Sequence, residues 1–303
     1  MERMVEERLL LLHRRLTEAP LLLPEAMPLA AEAAQRAARR RDSMLAEGAC
    51  AIAALAISLV AGASVDASAP SWLAQPVEGV FRLTPAGWWC MLVSNPLFLF
   101  LGLRWLWRHL VWALLLNDIA RLDLRLVATH PDGMGGLAFI GGYPNVFAAF
   151  VLALSCVVAA PLCYGMLHGG VDLKVWTQVM GAWLAFVIAL FALPLGVFVG
   201  PLSRLRAATL AAASVLATRR ERALERDQYG RNVVATTDQD RTKASELPDP
   251  AKSYAAASKL KSLPVTKTAL LPVGAAALLP LVAVGATQLP FRELLKIARG
   301  LLL

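Results

Sequence analysis

The chain has 303 residues, of which 57% are hydrophobic and only 17% charged, with a mean hydropathy of +0.56. Soluble domains carry about one-quarter charged residues, so the deficit points to lipid. The net charge of +8 raises the question of nucleic acid, but the positive charge is segregated between apolar runs, which a membrane protein explains equally well, and no nucleic-acid partner is expected.

In chain order, residues 1–16 read as a short charged amphipathic helix. Leu9 to Leu12 is too short for the apolar core of a secretory signal and is flanked by Arg8, Arg14 and Arg15. Pro20, Pro24 and Pro28 then favour an extended connector. Leu29 to Glu47, rich in alanine and carrying Arg36, Arg39, Arg40 and Arg41, predicts a helix that runs into the first span, its arginines suited to anionic headgroups.

Uninterrupted apolar runs follow: Gly48–Val65 (18 residues), Leu83–Leu103 (21), Leu137–Leu167 (31), Val175–Ser203 (29) and Ala269–Leu289 (21). About 20 helical residues cross the hydrocarbon layer. These runs are apolar all round, unlike the one-sided stripe of a soluble helix or the ten-residue alternation of a barrel strand. The expected fold is therefore an all-α polytopic membrane protein with four to five spans. Its expected organisation is 1–45 as N-terminal amphipathic and basic helices, 46–203 as a four-span core with a loop at 129–136, 204–264 as a basic helix and polar linker, and 265–303 as a final hydrophobic segment and amphipathic tail.

With the N-terminus inside and every span crossing, 25 of the 30 Lys and Arg residues fall on the cytoplasmic side, a strong positive-inside asymmetry. The expected location is a bacterial inner membrane with the N-terminus cytoplasmic. The fifth run, interrupted by Pro272, Gly274, Pro280 and Gly285, conflicts with this, because crossing would place its basic tail outside; a full crossing and a re-entrant hairpin are both open. Trp72, Phe81, Trp88 and Trp89 fit an aromatic belt around the loop from Asp66 to Pro85. The second span is expected to continue as one long helix past Arg104 and Arg108 to about Val127, placing Asp118, Arg121 and Arg125 on one face.

A glycine-rich segment follows, Thr129-His130-Pro131-Asp132-Gly133-Met134-Gly135-Gly136-Leu137. With five glycines between Gly133 and Gly142, it cannot be ordinary helix and reads as a shaped loop at membrane depth. The candidate polar site comprises Asp118, Arg121, Asp123, Arg125, His130, Asp132, Gly133, Gly135 and Gly136. A carboxylate, an imidazole and exposed glycine amides suit an anion, a metal or protons. The alternative reading makes Asp132 a helix cap, His130-Pro131 a turn and the Asp/Arg face an ion-pair ladder.

No cofactor or metal is expected: Cys50, Cys90, Cys156 and Cys163 form no CxxC pair, His13, His109 and His168 are scattered, and neither GxSxG nor GxxxxGK[ST] occurs. Gly196 and Gly200 form a GxxxG that reads as a packing face or, beside Pro194 and Pro201, as a kinked helix end.

Ala38-Arg39-Arg40-Arg41-Asp42-Ser43, Ala86-Gly87-Trp88-Trp89, Arg104-Trp105-Leu106-Trp107-Arg108, Arg121-Leu122-Asp123-Leu124-Arg125-Leu126, the Thr-His-Pro-Asp segment with Gly135-Gly136-Leu137, and Leu289-Pro290-Phe291 with Glu293-Leu294-Leu295-Lys296 occur in order. Together they resemble a family of uncharacterised bacterial multi-pass membrane proteins, over most of the chain from about residue 30. Members of that family carry further spans before the Arg-Asp-Ser segment, where this chain has a short charged helix. The resemblance implies a polytopic fold and no particular activity.

Three functions remain open. The first is a channel-like or transport-related oligomer, on the strength of the irregular charged loop. The second is a scaffold or accessory subunit docking through Arg204 to Lys261. The third is a membrane-embedded enzyme using His130 and Asp132, for which a nucleophile or metal triad is missing. The expected partners are the bilayer and either further copies or a membrane complex.

Overall fold

In the computed structural model, residues 11, 14–15, 21–63, 71–77, 80–167, 172–235, 242–265, 267–286 and 300 are described. The expected N-terminal amphipathic helix and the tail from Phe291 fall almost entirely outside the described residues, as do His13 and His168.

Four helical runs are long and apolar enough to cross a membrane: Met44–Ala63, Pro85–Ala120, Ala138–Leu167 and Leu173–Tyr229. The chain is an all-α polytopic membrane protein. It divides into two units, Pro28–Ile119 and Met1–Met27 with Ala120–Leu303.

The first unit is a helical hairpin with an interfacial arm. Helix α1 (Met27–Arg41) buries an alanine stripe, Ala30, Ala33 and Ala37, at the spacing that places residues on one helical face. It does not run into the first span as expected. The chain breaks at Asp42-Ser43, and α2 (Met44–Ala63) starts afresh, with the Ala46 N–H donating to Ser43 Oγ at 3.4 Å as an N-cap. After α2, strands β1 (Ala74–Val77) and β2 (Val80–Leu83) pair antiparallel, an element that the sequence reading leaves as loop. Only Glu78-Gly79 separates them in sequence, and a two-residue Gly-containing link between runs containing Val and Phe is a hairpin signal. Thr84 then caps α3 (Pro85–Trp89), accepting from the Gly87 N–H at 3.1 Å. Gly87 is obligatory there, since a Cβ would stand 2.2 Å from the Leu73 carbonyl.

A π-helical turn, Cys90–Ser94, leads into α4 (Asn95–Ala120). Such turns leave a backbone carbonyl without its regular partner. Here buried Ser58 of α2 donates its hydroxyl to the Met91 carbonyl at 2.6 Å, joining the two helices where lipid offers no substitute donor.

In the second unit, a 3-10 segment, Ala138–Phe147, precedes α5 (Ala148–Leu167), and α6 (Leu173–Ala192) passes through a second 3-10 segment, Leu193–Phe198, into α7 (Val199–Tyr229). Pro194 and Pro201 mark that change of helical pitch, so the GxxxG lies at a tightened turn and the start of a new helix. The core is a buried aromatic cluster of Tyr143, Phe147 and Phe191, with ring centroids 5.4–6.4 Å apart. The Tyr143 hydroxyl donates to the Phe191 carbonyl at 2.7 Å, and Trp183 of α6 donates to Ser155 Oγ of α5 at 2.9 Å.

Helix α8 (Ala251–Lys259) packs on α7, and α9 (Lys267–Gly285) packs against α5, α6 and the first 3-10 segment. It buries Val273, Ala277, Leu278, Leu281 and Val284, while buried Trp176 donates to the Leu281 carbonyl at 3.0 Å. The fifth apolar run is thus a helix built into the bundle. Its 19 residues amount to about 28 Å, close to the roughly 30 Å hydrocarbon thickness.

Candidate functional site

Helix α4 ends at Ala120 rather than near Val127. This corrects the expectation that Asp118, Arg121 and Arg125 share a helical face: Asp118 is the third residue from the helix end, whereas Arg121, Asp123 and Arg125 lie on non-helical chain. The reason is tertiary. Leu124 forms an antiparallel bridge with Leu22, and the Arg125 N–H donates to the Leu21 carbonyl at 2.7 Å, so this stretch takes its backbone partners from the N-terminal connector.

The expected Asp/Arg ladder is absent among the described residues. Asp118 instead meets Arg36 of α1 at 3.4 Å, and Arg121, Asp123 and Arg125 are solvent-exposed.

His130, Asp132, Gly133, Gly135 and Gly136 do come together. The turn begins with the His130 N–H donating to Val127 O at 3.1 Å and the Gly133 N–H donating to His130 O at 3.1 Å. Gly133, Gly135 and Gly136 have φ of +64°, +67° and +100°, the left-handed region that side chains disfavour. This winding aims successive N–H groups inward, a nest suited to an anion.

The anion is the chain's own Asp132. Its Oδ1 accepts from Met134 N at 2.8 Å and Gly136 N at 3.1 Å, and its Oδ2 accepts from Gly136 N and from Ala138 N, each at 3.1 Å. His130 Nδ1 lies 2.8 Å from Oδ1. Burial opposes ionisation of this carboxyl, but the N–H groups of Met134, Ala138 and Gly136 and the His130 ring outweigh it and hold its pKa below the ordinary value. Asp132 is 15% exposed and His130 47%.

A carboxylate has about four lone-pair positions, and these donors take them up. Asp132 therefore closes the loop and caps the 3-10 segment that begins at Ala138, as in the capping alternative.

The loop is held in place from several sides. Leu202 and Leu205 of α7 approach Gly135, Leu21 approaches Gly136, and the Lys261 N–H donates to the Gly133 carbonyl at 3.0 Å. The connector before α1, the loop after α4, the start of α7 and the segment after α8 are thus gathered at one end of this unit. Among the described residues, no group of three or more His, Cys, Asp or Glu side chains could hold a metal ion.

A second polar cluster lies in the first unit, where sequence reasoning did not assemble it. Arg104 meets Glu47 at 3.0 Å, Arg36 meets Asp118, and the Trp107 ring N–H donates to the Arg40 carbonyl at 3.0 Å, fastening α1 and the start of α2 to α4. The available signal was the Arg-Trp-Leu-Trp-Arg string facing a second arginine cluster at an interface. A third lies beyond α7, which ends at left-handed Gly230. Buried Asn232 donates to the Arg222 carbonyl at 2.9 Å and to Glu225 at 2.7 Å, and Arg226 donates to Asn232 Oδ1 at 3.1 Å.

No family model, no curated protein and no solved structure matches the chain.

Proposed function

We propose that this protein is a membrane-embedded scaffold or accessory subunit, lying in a bacterial inner membrane with its N-terminus and basic segments cytoplasmic, and that it docks a partner through the far end of α7 and the turn after it. The observation that carries the reading is an apolar surface at and just beyond the end of a helical run too long for the bilayer. The helical run Leu173–Tyr229 has 57 residues, about 85 Å at 1.5 Å per residue, against roughly 30 Å of hydrocarbon. At its end Tyr229, Val233 and Val234 are 62%, 66% and 73% exposed, with Arg219 and Arg231 also exposed. Apolar residues grouped in water beside cations mark protein contacts.

The basic segment divides between two tasks. Arg206, Arg220 and Arg226 donate to the carbonyls of Ser258, Leu247 and Thr242 and build the module, which leaves Arg204, Arg219 and Arg231 facing outward. The gathering of the connector, the Asp132 loop and the 260s segment at one end supports placing these loops on one side of the membrane.

The test is purification of the intact chain from its native membrane, with Val233→Asp/Val234→Asp and a deletion of residues 235–258 in parallel. A stoichiometric partner lost from the double variant is the expected result. Normal assembly of both altered chains overturns the reading.

Transport by an oligomer is the second reading. The Asp132 loop no longer motivates it, because its polar groups satisfy one another. What favours it is the number of non-α turns in apolar helices: the π turn Cys90–Ser94, the 3-10 turn Leu193–Phe198, and Pro272 and Pro280 within α9. Ion flux into vesicles holding the purified protein tests it, and silent vesicles holding folded protein count against it. The enzymatic reading, which used His130 and Asp132, draws no support from Asp132, whose acceptor positions are taken up within the loop.

A further inference from the structure

We propose that the elbow between α1 and α2 is a binding site for one anionic phospholipid. The proposal rests on the membrane assignment alone and is independent of the docking reading above. An open groove of about 690 Å³ runs between the α1–α2 elbow and α4. Its walls are apolar, with Ala49 and Ala53 on one side and Leu103 and the Trp107 ring on the other, and Arg39 and Arg40 stand at its mouth.

The charge at that mouth is unbalanced. The nearby acidic groups are already engaged: Glu32 and Asp118 with Arg36, Asp42 with Arg41, and Glu47 with Arg104. Arg39 and Arg40 meet no carboxylate among the described residues. Two guanidiniums without a counter-charge at a membrane surface call for an anion, and their planar donor forks suit a phosphate. The Trp107 ring N–H, bound to the Arg40 carbonyl, holds an aromatic edge at the level where tryptophan marks the interface.

The depth is that of one leaflet. Ala49 and Ala53 lie six and ten residues past Ser43, about 9 and 15 Å along the helix, and half of the hydrocarbon layer is about 15 Å. A phosphate at Arg39 and Arg40 would therefore send an acyl chain down the apolar groove as far as the bilayer midplane. A second copy of this chain is disfavoured as the occupant, because it would bury two guanidiniums without compensation. A zwitterionic lipid brings an ammonium that Arg39 and Arg40 oppose.

The test titrates the purified full-length protein in detergent with phosphatidylglycerol or phosphatidylcholine of matched chains, counting bound lipid by native mass spectrometry. Only preparations with wild-type melting temperature and monodisperse elution are compared. One phosphatidylglycerol per chain, held roughly tenfold or more tightly than phosphatidylcholine, is the expected result. Arg39→Gln/Arg40→Gln should bring the two lipids level, and Ala49→Trp, which fills the groove and keeps the charge, should weaken both. Arg39→Lys/Arg40→Lys, the milder replacement should the glutamine pair fail to fold, should fall between wild type and that pair. Lys252→Gln/Lys259→Gln removes the same net charge elsewhere and should leave phosphatidylglycerol retention unchanged. Equal retention of the two lipids by wild type, equal losses in both charge variants, no effect of Ala49→Trp, or a dimer that forms at the groove and excludes lipid would each overturn the proposal.

Discussion

The two units bury their apolar residues to different degrees. In the spans Met44–Ala63 and Pro85–Ala120, 11% of the most apolar window is buried; in Ala138–Leu167 and Leu173–Tyr229, it is 28%. The reason lies in the number of neighbours each helix has. Helices α5, α6 and α9 surround one another and enclose Phe147, Trp176 and Phe191, whereas α2 and α4 form a hairpin whose outward side chains, such as Ile52 at 73% exposed, are left uncovered within their unit among the described residues. Hydrocarbon satisfies such a face as well as protein does, so the hairpin relies on a few polar fasteners, and the second unit on packing.

The largest expected effect is a direct contrast between them. Phe147→Ala opens a void in the aromatic cluster and should destabilise by about 3–5 kcal/mol, while Ile52→Ala on the lipid-facing side should cost less than about 1 kcal/mol. Thermal unfolding in detergent measures both, and equal losses would break the contrast.

Asp132→Asn removes the charge from four hydrogen-bonded contacts and should cost about 1.5–3 kcal/mol, seen as lower melting temperature and faster proteolysis of residues 128–137. The pH dependence has a definite sign. Because the folded pKa lies below the unfolded value of about 3.9, this contribution is fully present above that value and is lost as pH falls through the folded pKa. Wild type should therefore loosen in this loop only below about pH 4, and Asp132→Asn should show no such step. A wild-type step well above pH 4 would show that Asp132 does not govern the loop.

Ser58→Ala tests whether a single hydroxyl fastens the hairpin at the π turn. Interhelical hydrogen bonds in membranes average about 0.6 kcal/mol, so a small loss is expected, with faster amide exchange around Met91 as its local signature. Arg36→Gln should have the smallest effect, under about 1 kcal/mol, since its pair with Asp118 is at a half-exposed surface. An effect larger than that of Phe147→Ala would show that electrostatic fastening, rather than packing, dominates in this protein.

Composition and run length alone identified an all-α membrane protein and located each apolar helix to within a few residues at most ends, because backbone polar groups in lipid can be satisfied only within the helix itself. The glycine positions and the capping role of Asp132 were also legible, since an aspartate followed by closely spaced glycines is a local arrangement. Three things were decided only by tertiary structure. Helix α4 ends at Ala120 because Leu21 and Leu22, about 100 residues earlier in the chain, supply backbone partners to Leu124 and Arg125. Asp118 belongs with Arg36 and not with Arg121, because the 82-residue separation closes when α1 folds back along α4. The Pro-broken last run is a helix in the bundle because Trp176 and the α5–α6 surface receive it. In each case the partner is remote in sequence, and periodicity reports only what neighbours along the chain can do for one another.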